Sequence, residues 1–138
     1  MSEEFRDNAS GQLGDGSTTR RTTPVAPTGG CLARSATGGD ATTYVLCRDG
    51  RVLAAGKNAA GQLGDGSTTA RRTLGAVIGL VDAAGVSAGA SHAVAATASG
   101  VAKAWGENRH GQLGDGTTTT RKSPVGVSGL AGLMPTGD

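Results

Sequence analysis

Short runs of apolar and β-branched residues alternate along the chain with polar residues and glycines. Residues 42–46 are β-branched and aromatic, which favours an extended strand. The pair Asp49-Gly50 follows, and such a pair is typical of a two-residue hairpin turn because glycine tolerates a positive φ. Residues 51–54 then return as the partner strand. The pattern therefore predicts β-hairpins.

The same pattern recurs further along the chain. Residues 93–97 and 101–105 form a second predicted hairpin around Ser99-Gly100. Pro27 weakens the third strand of the first unit, which would match residues 75–78, because proline cannot donate to a sheet ladder. Helical periodicity is absent, and glycine recurs too often for long helices. Each unit is predicted to be a four-stranded all-β module, whose further strands are expected near residues 75–78, 81–86 and 124–127.

An internal repeat of 50 residues organises the whole chain. The hexapeptide Gly-Gln-Leu-Gly-Asp-Gly occurs at residues 11–16, 61–66 and 111–116. When residues 1–88 are laid on residues 51–138 without a gap, 33 of the 88 positions are identical. A fixed period of this length is typical of propellers and other repeat architectures. The chain is one repeat array with units 1–50, 51–100 and 101–138, the last of them incomplete.

Composition and charge exclude several classes of protein. The chain has 138 residues, 25 glycines and three aromatic residues, and its formal net charge is +2. No apolar run reaches the roughly 18 residues of a membrane helix, so no membrane association is expected. The small positive charge is not the signature of a nucleic-acid-binding protein. The polar, acidic start lacks a secretory signal, which favours a cytoplasmic location and leaves an extracellular one open for a fragment.

The hexapeptide has three glycines and invites comparison with a phosphate-binding loop. Its spacing differs from Gly-x-Gly-x-x-Gly, no helix is predicted after it, and no Gly-Lys-Ser/Thr ending follows. We interpret it as an architectural loop, in which the aspartate accepts backbone N–H groups and glycine supplies unusual φ values. The structural loop residues are Gly11, Gly14, Asp15, Gly16, Gly61, Gly64, Asp65, Gly66, Gly111, Gly114, Asp115 and Gly116.

No residue pattern indicates a metal, cofactor or catalytic site. An Asn and an Asp recur seven residues apart, at Asn58/Asp65 and Asn108/Asp115, which is too few oxygen ligands for calcium. The two histidines, with two cysteines that lack Cys-x-x-Cys spacing, do not make a zinc ligand set. Neither a Ser–His–acid order nor paired carboxylates are present. The chain is predicted to be non-enzymatic and without a cofactor.

Basic residues recur at one position of each unit, at Arg21, Arg71 and Arg121. They could form a rim for an acidic partner, or each could pair with the aspartate six residues earlier, which is the interpretation we favour. His110 lies on a loop beside Arg109 and is the better histidine for contacting a partner. The candidate partner-binding residues are Arg71, Arg109, His110 and Arg121.

Two cysteines, Cys31 and Cys47, lie 16 residues apart in the first unit. Both fall on or beside predicted strands of one module, so a disulfide is geometrically possible. Cysteines of a cytosolic chain are more often free and partly buried. We therefore expect free thiols.

The repeat signature resembles the regulator of chromosome condensation repeat. The similarity is clearest at residues 86–92 and 105–116, which contain Ala-Gly-x-x-His and Trp-Gly-x-Asn-x-x-Gly-Gln-Leu-Gly-Asp-Gly. The resemblance implies an all-β fold, a partial β-propeller with two to three blades of four antiparallel strands each. It also implies that His92 ties strands together. The first unit departs from the signature, with Thr42 in the place of His92 and Ala55 in the place of Trp105.

The resemblance implies a seven-bladed ring for the complete propeller. Seven blades of 50 residues each need roughly 350 residues. Exposed sheet edges of a partial ring predict self-association or a missing propeller segment as partner. The family resemblance implies a protein-binding scaffold, with guanine-nucleotide exchange or small-GTPase regulation as the narrower expectation. Two alternatives stay open: a bacterial extracellular or cell-surface binding protein, and a repeat segment that accompanies a catalytic domain encoded elsewhere.

Overall fold

The computed structural model describes residues 11–12, 16–18 and 31–127. Across these ranges the backbone forms eight β-strands, and no helix there is long and apolar enough to cross a membrane. The strands are β1 (Ala33–Gly38), β2 (Thr42–Cys47), β3 (Val52–Gly56), β4 (Arg71–Ala76), β5 (Ala83–Ala88), β6 (His92–Thr97), β7 (Ala102–Gly106) and β8 (Arg121–Gly126).

The strands form two antiparallel sheets of the same topology. Sheet 1 has the order β1-β2-β3-β4 and sheet 2 the order β5-β6-β7-β8. Each strand of sheet 2 begins 50 residues after its counterpart in sheet 1. The all-β class and the four-stranded antiparallel module are therefore confirmed. Each sheet takes two strands from one sequence unit and two from the next, because the unit boundary after Gly50 falls in the turn between β2 and β3.

The predicted hairpins are present, and the outer strands are displaced from their predicted positions. β4 and β8 begin at Arg71 and Arg121, earlier than the apolar runs suggested, because both arginines pair with the ends of the neighbouring strands. The strand predicted near residues 81–86 begins at Ala83 and opens sheet 2. Pro124 lies inside β8, which is an edge strand, where a missing N–H costs little. Pro27 lies outside the described residues.

Alternation along the strands gives sheet 1 two apolar faces. Tyr44 and Leu46 of β2 point into one cluster, and Val45 and Cys47 point into a second, as the two-residue period of a strand requires. The first cluster lies between the sheets and is the main core. Its buried members are Tyr44, Leu46, Val52, Ala54, Leu63, Val77, Leu80, Ala83, Ala93, Ala95 and Trp105.

One backbone carbonyl inside the main core joins the two sheets. The Gln62 carbonyl oxygen accepts the Tyr44 hydroxyl at 2.6 Å and the Trp105 indole N–H at 2.8 Å. Tyr44 belongs to sheet 1 and Trp105 to sheet 2, and their rings meet edge to face with centroids 6.1 Å apart. Burial raises the pKa of Tyr44, so its hydroxyl stays a donor at every physiological pH. The two largest side chains of the core thus share one acceptor.

Small residues let the sheets approach each other at their turns. A Cβ atom at Gly39 would lie 2.7 Å from the Gly89 carbonyl oxygen, which only glycine avoids. The adjacent Asp40 N–H donates to the Ala90 carbonyl at 3.0 Å, across the sheets. The β1–β2 turn of sheet 1 is therefore hydrogen-bonded to the matching turn of sheet 2.

The expectation of free thiols is wrong, because Cys31 and Cys47 form a disulfide with Cα atoms 5.8 Å apart. Cys47 ends β2 and lies opposite Ala33 of β1, so the hairpin carries the preceding Cys31 to the same place. Cys47 is buried in the second cluster, and Cys31 packs against that cluster. Strand pairing, which cysteine spacing alone does not reveal, positions the two sulfurs.

Removing the two donors to Gln62 tests the shared acceptor. Tyr44→Phe should lower the free energy of unfolding by about 1 kcal/mol. Trp105→Phe should cost about 2 kcal/mol, because it also removes ring volume from the core. In the double variant the carbonyl loses both donors, so the loss should exceed the sum of the single losses by at least about 0.5 kcal/mol. Urea unfolding followed by circular dichroism measures this, and strict additivity would contradict it.

Candidate functional site

Two long connections, the β3–β4 loop (residues 57–70) and the β7–β8 loop (residues 107–120), carry the repeated hexapeptide. We call these the repeated loops. They occupy equivalent positions in the two sheets, 50 residues apart in sequence. Each is organised from within by one buried asparagine, Asn58 or Asn108.

Asn58 bonds to the backbone of its loop at three places. Its Nδ2 donates to the carbonyl oxygens of Ser67 at 2.9 Å and Thr69 at 3.0 Å. The same amide nitrogen lies 3.3 Å from the Asp65 carboxylate. Its Oδ1 accepts the Leu63 N–H at 2.8 Å. One side chain thus satisfies backbone groups that a buried loop would otherwise leave unpaired.

Asn108 repeats this network atom for atom. Its Nδ2 donates to the carbonyls of Thr117 and Thr119, both at 3.0 Å, and to the Asp115 carboxylate at 3.1 Å. Its Oδ1 accepts the Leu113 N–H at 2.9 Å. The organising role of the asparagine is absent from the sequence interpretation. Its signal was the recurrence of Asn at one position of each unit.

The loop aspartates close a tight turn. Asp65 Oδ1 accepts the backbone N–H of Ser67 at 3.0 Å and its hydroxyl at 2.8 Å. Asp115 accepts the same two groups of Thr117, at 2.9 and 2.7 Å. Hydrogen bonds from Thr117 hold the pKa of Asp115 well below its ordinary value. Burial alone would raise the pKa of Asp65, but the bonds from Ser67 and Asn58 outweigh it and lower that pKa too.

The loop glycines adopt left-handed backbone conformations. At Gly64, with φ of +62°, a Cβ atom would lie 2.8 Å from Val77 Cγ1 and 2.9 Å from Trp105 Cδ1. The loop therefore passes against the core with no room for a side chain. Gly14 and Asp15 lie outside the described residues. The remaining hexapeptide glycines, all with positive φ, are Gly11, Gly16, Gly61, Gly66, Gly111, Gly114 and Gly116.

The first two copies of the hexapeptide also contact the outer strand of the following sheet. The Gly66 N–H donates to the Lys122 carbonyl in β8 at 2.9 Å. In the preceding copy of the hexapeptide, the Gly16 N–H donates to the Arg72 carbonyl in β4 at 2.8 Å. The same contact, repeated one period apart, fastens successive repeats together.

The donor chemistry of the loops does not suit a cation. The Asn58 amide nitrogen, a hydrogen-bond donor, faces the Asp65 carboxylate together with two carbonyl oxygens. Those oxygens are the groups that a calcium ion would need. In the part of the chain that the structure describes, no three His, Cys, Asp or Glu residues cluster as a metal site.

Of the three repeated arginines, Arg21 lies outside the described residues, and Arg71 and Arg121 behave differently. Arg121 Nε lies 3.0 Å from Asp115 Oδ2, the aspartate six residues earlier. Arg71 instead lies over Gly75, with its Nε 3.5 Å from the Thr73 carbonyl oxygen. Local pairing with the loop aspartate therefore describes Arg121, whereas the Arg71 guanidinium remains exposed at the start of β4.

The tips of the repeated loops differ in sequence, and all of their residues are exposed except Ala60, which is half-buried. Gln62 Oε1 accepts the Ala60 N–H at 2.7 Å, and Gln112 Oε1 accepts the His110 N–H at 2.9 Å. This common bond places Ala59-Ala60 in one loop where Arg109-His110 lies in the other. Arg109 is 74% exposed and 3.4 Å from Glu107. The structure thus brings Arg109 and His110 together on one tip, held by a glutamine whose role the sequence interpretation missed.

His92 begins β6, and its imidazole packs directly on Gly89, in the turn that follows β5. The contact joins neighbouring strands of sheet 2 at the turn where that sheet meets sheet 1. At the matching place in sheet 1, Thr42 donates its hydroxyl to the Lys57 carbonyl at 2.9 Å. The two sheets therefore close the same corner with different side chains.

Comparison with known families identifies the repeat. The model of the "Regulator of chromosome condensation (RCC1) repeat" matches residues 49–96 and 104–136, more than half of the chain. The chain belongs to this repeat family. A second model of the RCC1 repeat matches residues 83–112, which span most of sheet 2. No curated protein sequence matches the chain significantly.

Solved structures show the same architecture. Prp20p of Saccharomyces cerevisiae, described with its binding to Gsp1p and histones, superposes with a TM-score of 0.75 at 21% identity. The match covers 90% of this chain and 33% of Prp20p. The yeast RCC1 (Prp20) bound to Kap60 superposes with a TM-score of 0.76 at 21% identity, and the match covers 90% of this chain and 32% of that chain. Human WBSCR16 superposes with a TM-score of 0.71 at 21% identity, and the match covers 87% of this chain and 33% of WBSCR16.

These likenesses confirm the fold as part of a β-propeller, with sheet 1 and sheet 2 as blades. The RCC1-repeat chain spans about a third of the length of the structures it matches. Val94 and Ala102 on the outer face of sheet 2 are half-buried, where their counterparts Tyr44 and Val52 in sheet 1 are fully buried. The expected self-association or missing propeller segment stays a prediction.

Substituting a loop glycine tests the contact between loop and core. Gly64→Val should lower the free energy of unfolding by about 2–5 kcal/mol, since it combines an unfavourable φ with overpacking against Val77 and Trp105. Gly85→Ala is the matched control, because Gly85 lacks a positive φ and no atom lies within 4 Å of its added Cβ. It should change stability by less than about 1 kcal/mol. Equal denaturant midpoints for the two variants would show that Gly64 is not needed for the contact between the loop and the core.

Proposed function

We propose that this RCC1-repeat chain is a non-enzymatic protein-binding scaffold that contacts its partner through the tips of the repeated loops. One observation carries the proposal. Two loops with the same internal hydrogen-bond network expose different residues, Ala59-Ala60 in one and Arg109-His110 in the other. A fixed frame with a variable tip is how binding surfaces are commonly built on repeat folds.

The frame holds the tip without using it. Asn108 and Gln112 bond to backbone groups of the loop, and these bonds do not involve the side chains of Arg109 and His110. Arg109 retains most of its exposure despite the nearby Glu107. A substitution at the tip should therefore leave the loop folded and lower only the affinity for the partner.

The chemistry of this tip fits an acidic protein surface. Arg109 presents a guanidinium, which forms paired hydrogen bonds with carboxylates. Exposed charge of this kind contributes mainly to association rate and partner choice. Arg71, exposed at the start of β4, adds to the positive charge of the described region.

Family membership supports a narrower proposal, the regulation of a small GTPase. Prp20p, which has been described with its binding to Gsp1p, shares the fold at 21% identity. This chain spans a third of Prp20p, so the proposal is limited to GTPase binding by the loop tips. Nucleotide exchange is measured separately in the same experiment.

A tip exchange tests the proposal. In Arg109→Ala/His110→Ala, the tip takes the residues that the chain itself carries at Ala59-Ala60, so the fold should be retained. Binding to a panel of purified small GTPases, in nucleotide-free and nucleotide-bound forms, is measured by biolayer interferometry. We expect at least a tenfold loss of affinity for the GTPase that binds, about 1.4 kcal/mol. Release of a fluorescent nucleotide is followed in parallel.

The control is Arg51→Ala, just before β3 and so at the end of sheet 1 away from the repeated loops, where Arg51 Nε lies 2.9 Å from Asp49 Oδ2. It should bind as the unaltered chain does. Equal affinity of the tip variant and the control would overturn the role of the tip. Failure of every GTPase to bind would overturn the narrower proposal.

The disulfide favours a second candidate, an extracellular or cell-surface binding protein. Structural disulfides persist in oxidising compartments and are rare in the cytosol. Alkylation of the native protein in its own cells, followed by mass spectrometry, decides between the two. We expect Cys31 and Cys47 to be unmodified if the chain is exported, whereas alkylated cysteines would exclude this candidate.

A further inference from the structure

The first strands of the two sheets have the same backbone pairing and different side-chain anchors. β1 pairs with β2 as β5 pairs with β6, with a register irregularity at the same place. In β5, Val86 and Ala88 pack against the main core. Their counterparts in β1 are Ala36 and Gly38, and the first four residues of β1 are all exposed. β1 therefore lacks the apolar packing that holds β5.

A covalent bond stands in place of that packing. Cys31, just before β1, is bonded to Cys47 at the end of β2. At the matching positions, sheet 2 has Val81 and Thr97, and the Thr97 hydroxyl accepts the Val101 N–H at 3.1 Å. Of the two sheets, only sheet 1 links its first strand to its second through side-chain sulfur.

The disulfide lies in a cleft open to solvent. The cleft has a volume of about 260 Å³, which admits a small reductant. Cys31 is partly exposed and Cys47 is almost fully buried, so the Cys31 sulfur is the accessible one. Guanidinium groups at a cleft favour the thiolate form of a nearby sulfur. The lining residues are Cys31, Leu32, Cys47, Arg48, Asp49 and Arg51.

We propose that this cleft is a thiol–disulfide exchange site for a dithiol and that reduction there releases β1 from sheet 1 while β5 stays in sheet 2. A thiolate of the dithiol attacks Cys31 Sγ, the Cys31–Cys47 bond breaks, and its electron pair leaves on Cys47 Sγ, which takes up a proton. The second thiol of the dithiol then attacks the mixed disulfide and frees Cys31 as a thiol. The dithiol becomes a cyclic disulfide, and the protein gains two hydrogens.

Release of β1 alters the contact between the sheets. The Asp40 N–H, in the turn that follows β1, donates to the Ala90 carbonyl of sheet 2. Gly39 in the same turn lies against Gly89. Loss of β1 frees this turn and leaves β2 as an unpaired edge, a form open to new strand pairing. The oxidised and reduced chains therefore present different surfaces at this corner.

Hydrogen exchange measured by mass spectrometry tests the proposal, with dithiothreitol as the dithiol. β5 is the matched control within the same molecule. On reduction, amides of β1 should exchange at least about 10-fold faster, and amides of β5 should change less than about twofold. Alkylation of both cysteines verifies complete reduction. Undiminished protection of β1 in the reduced chain would overturn the proposal, as would equal acceleration of β1 and β5, which signals global unfolding.

A rescue variant tests the reason for the release. Ala36→Val/Gly38→Ala gives β1 the side chains that β5 uses, and a Cβ at Gly38 meets only the Thr42 carbonyl oxygen at 3.6 Å. In this variant β1 should stay protected with the disulfide reduced. If β1 is released in the reduced variant to the same extent as in the unaltered chain, the disulfide does not take the place of apolar packing, and this explanation is wrong.

Discussion

The Gln62 carbonyl is the point on which the two sheets depend. It accepts from Tyr44 of one sheet and Trp105 of the next, so a single backbone oxygen is bonded to the largest core side chain of each sheet. An aromatic-poor chain places two of its three aromatic residues there. Because the carbonyl belongs to the hexapeptide, the repeated loop is part of the core, and its glycines, asparagine and aspartate serve to bring that oxygen between the rings.

The loops combine a fixed interior with a free exterior. Asn58 and Asn108 bond the loop backbone from inside, and the side chains of the tips are not part of these bonds. This division explains how a repeat can keep its hexapeptide unchanged while its exposed residues differ from copy to copy. The repeat places the chain in the RCC1 repeat family, and the partner preference proposed above is assigned to the tips.

Sequence periodicity predicted the all-β class, the four-stranded module and the hairpins, since these depend on local alternation and a turn at Asp49-Gly50. It missed features set by strand pairing. The Cys31–Cys47 disulfide depends on the register of β1 against β2, and the early start of β4 at Arg71 depends on the end of β3. The hydrogen bonds of Asn58 were invisible because residue identity at a recurring position does not state which atoms it meets.

The offset between sheets and sequence units has a consequence for how such a chain can grow or be divided. A cut at Gly50 or Gly100 would fall in a hairpin turn and separate paired strands. The connection at residues 77–82, between β4 and β5, lies outside both sheets. A 50-residue duplication entering there adds one complete blade, together with the hexapeptide that fastens it to its successor. Gene duplication in this architecture therefore preserves intact sheets only when its boundaries fall between sheets, and not when they fall at the boundaries of the sequence units.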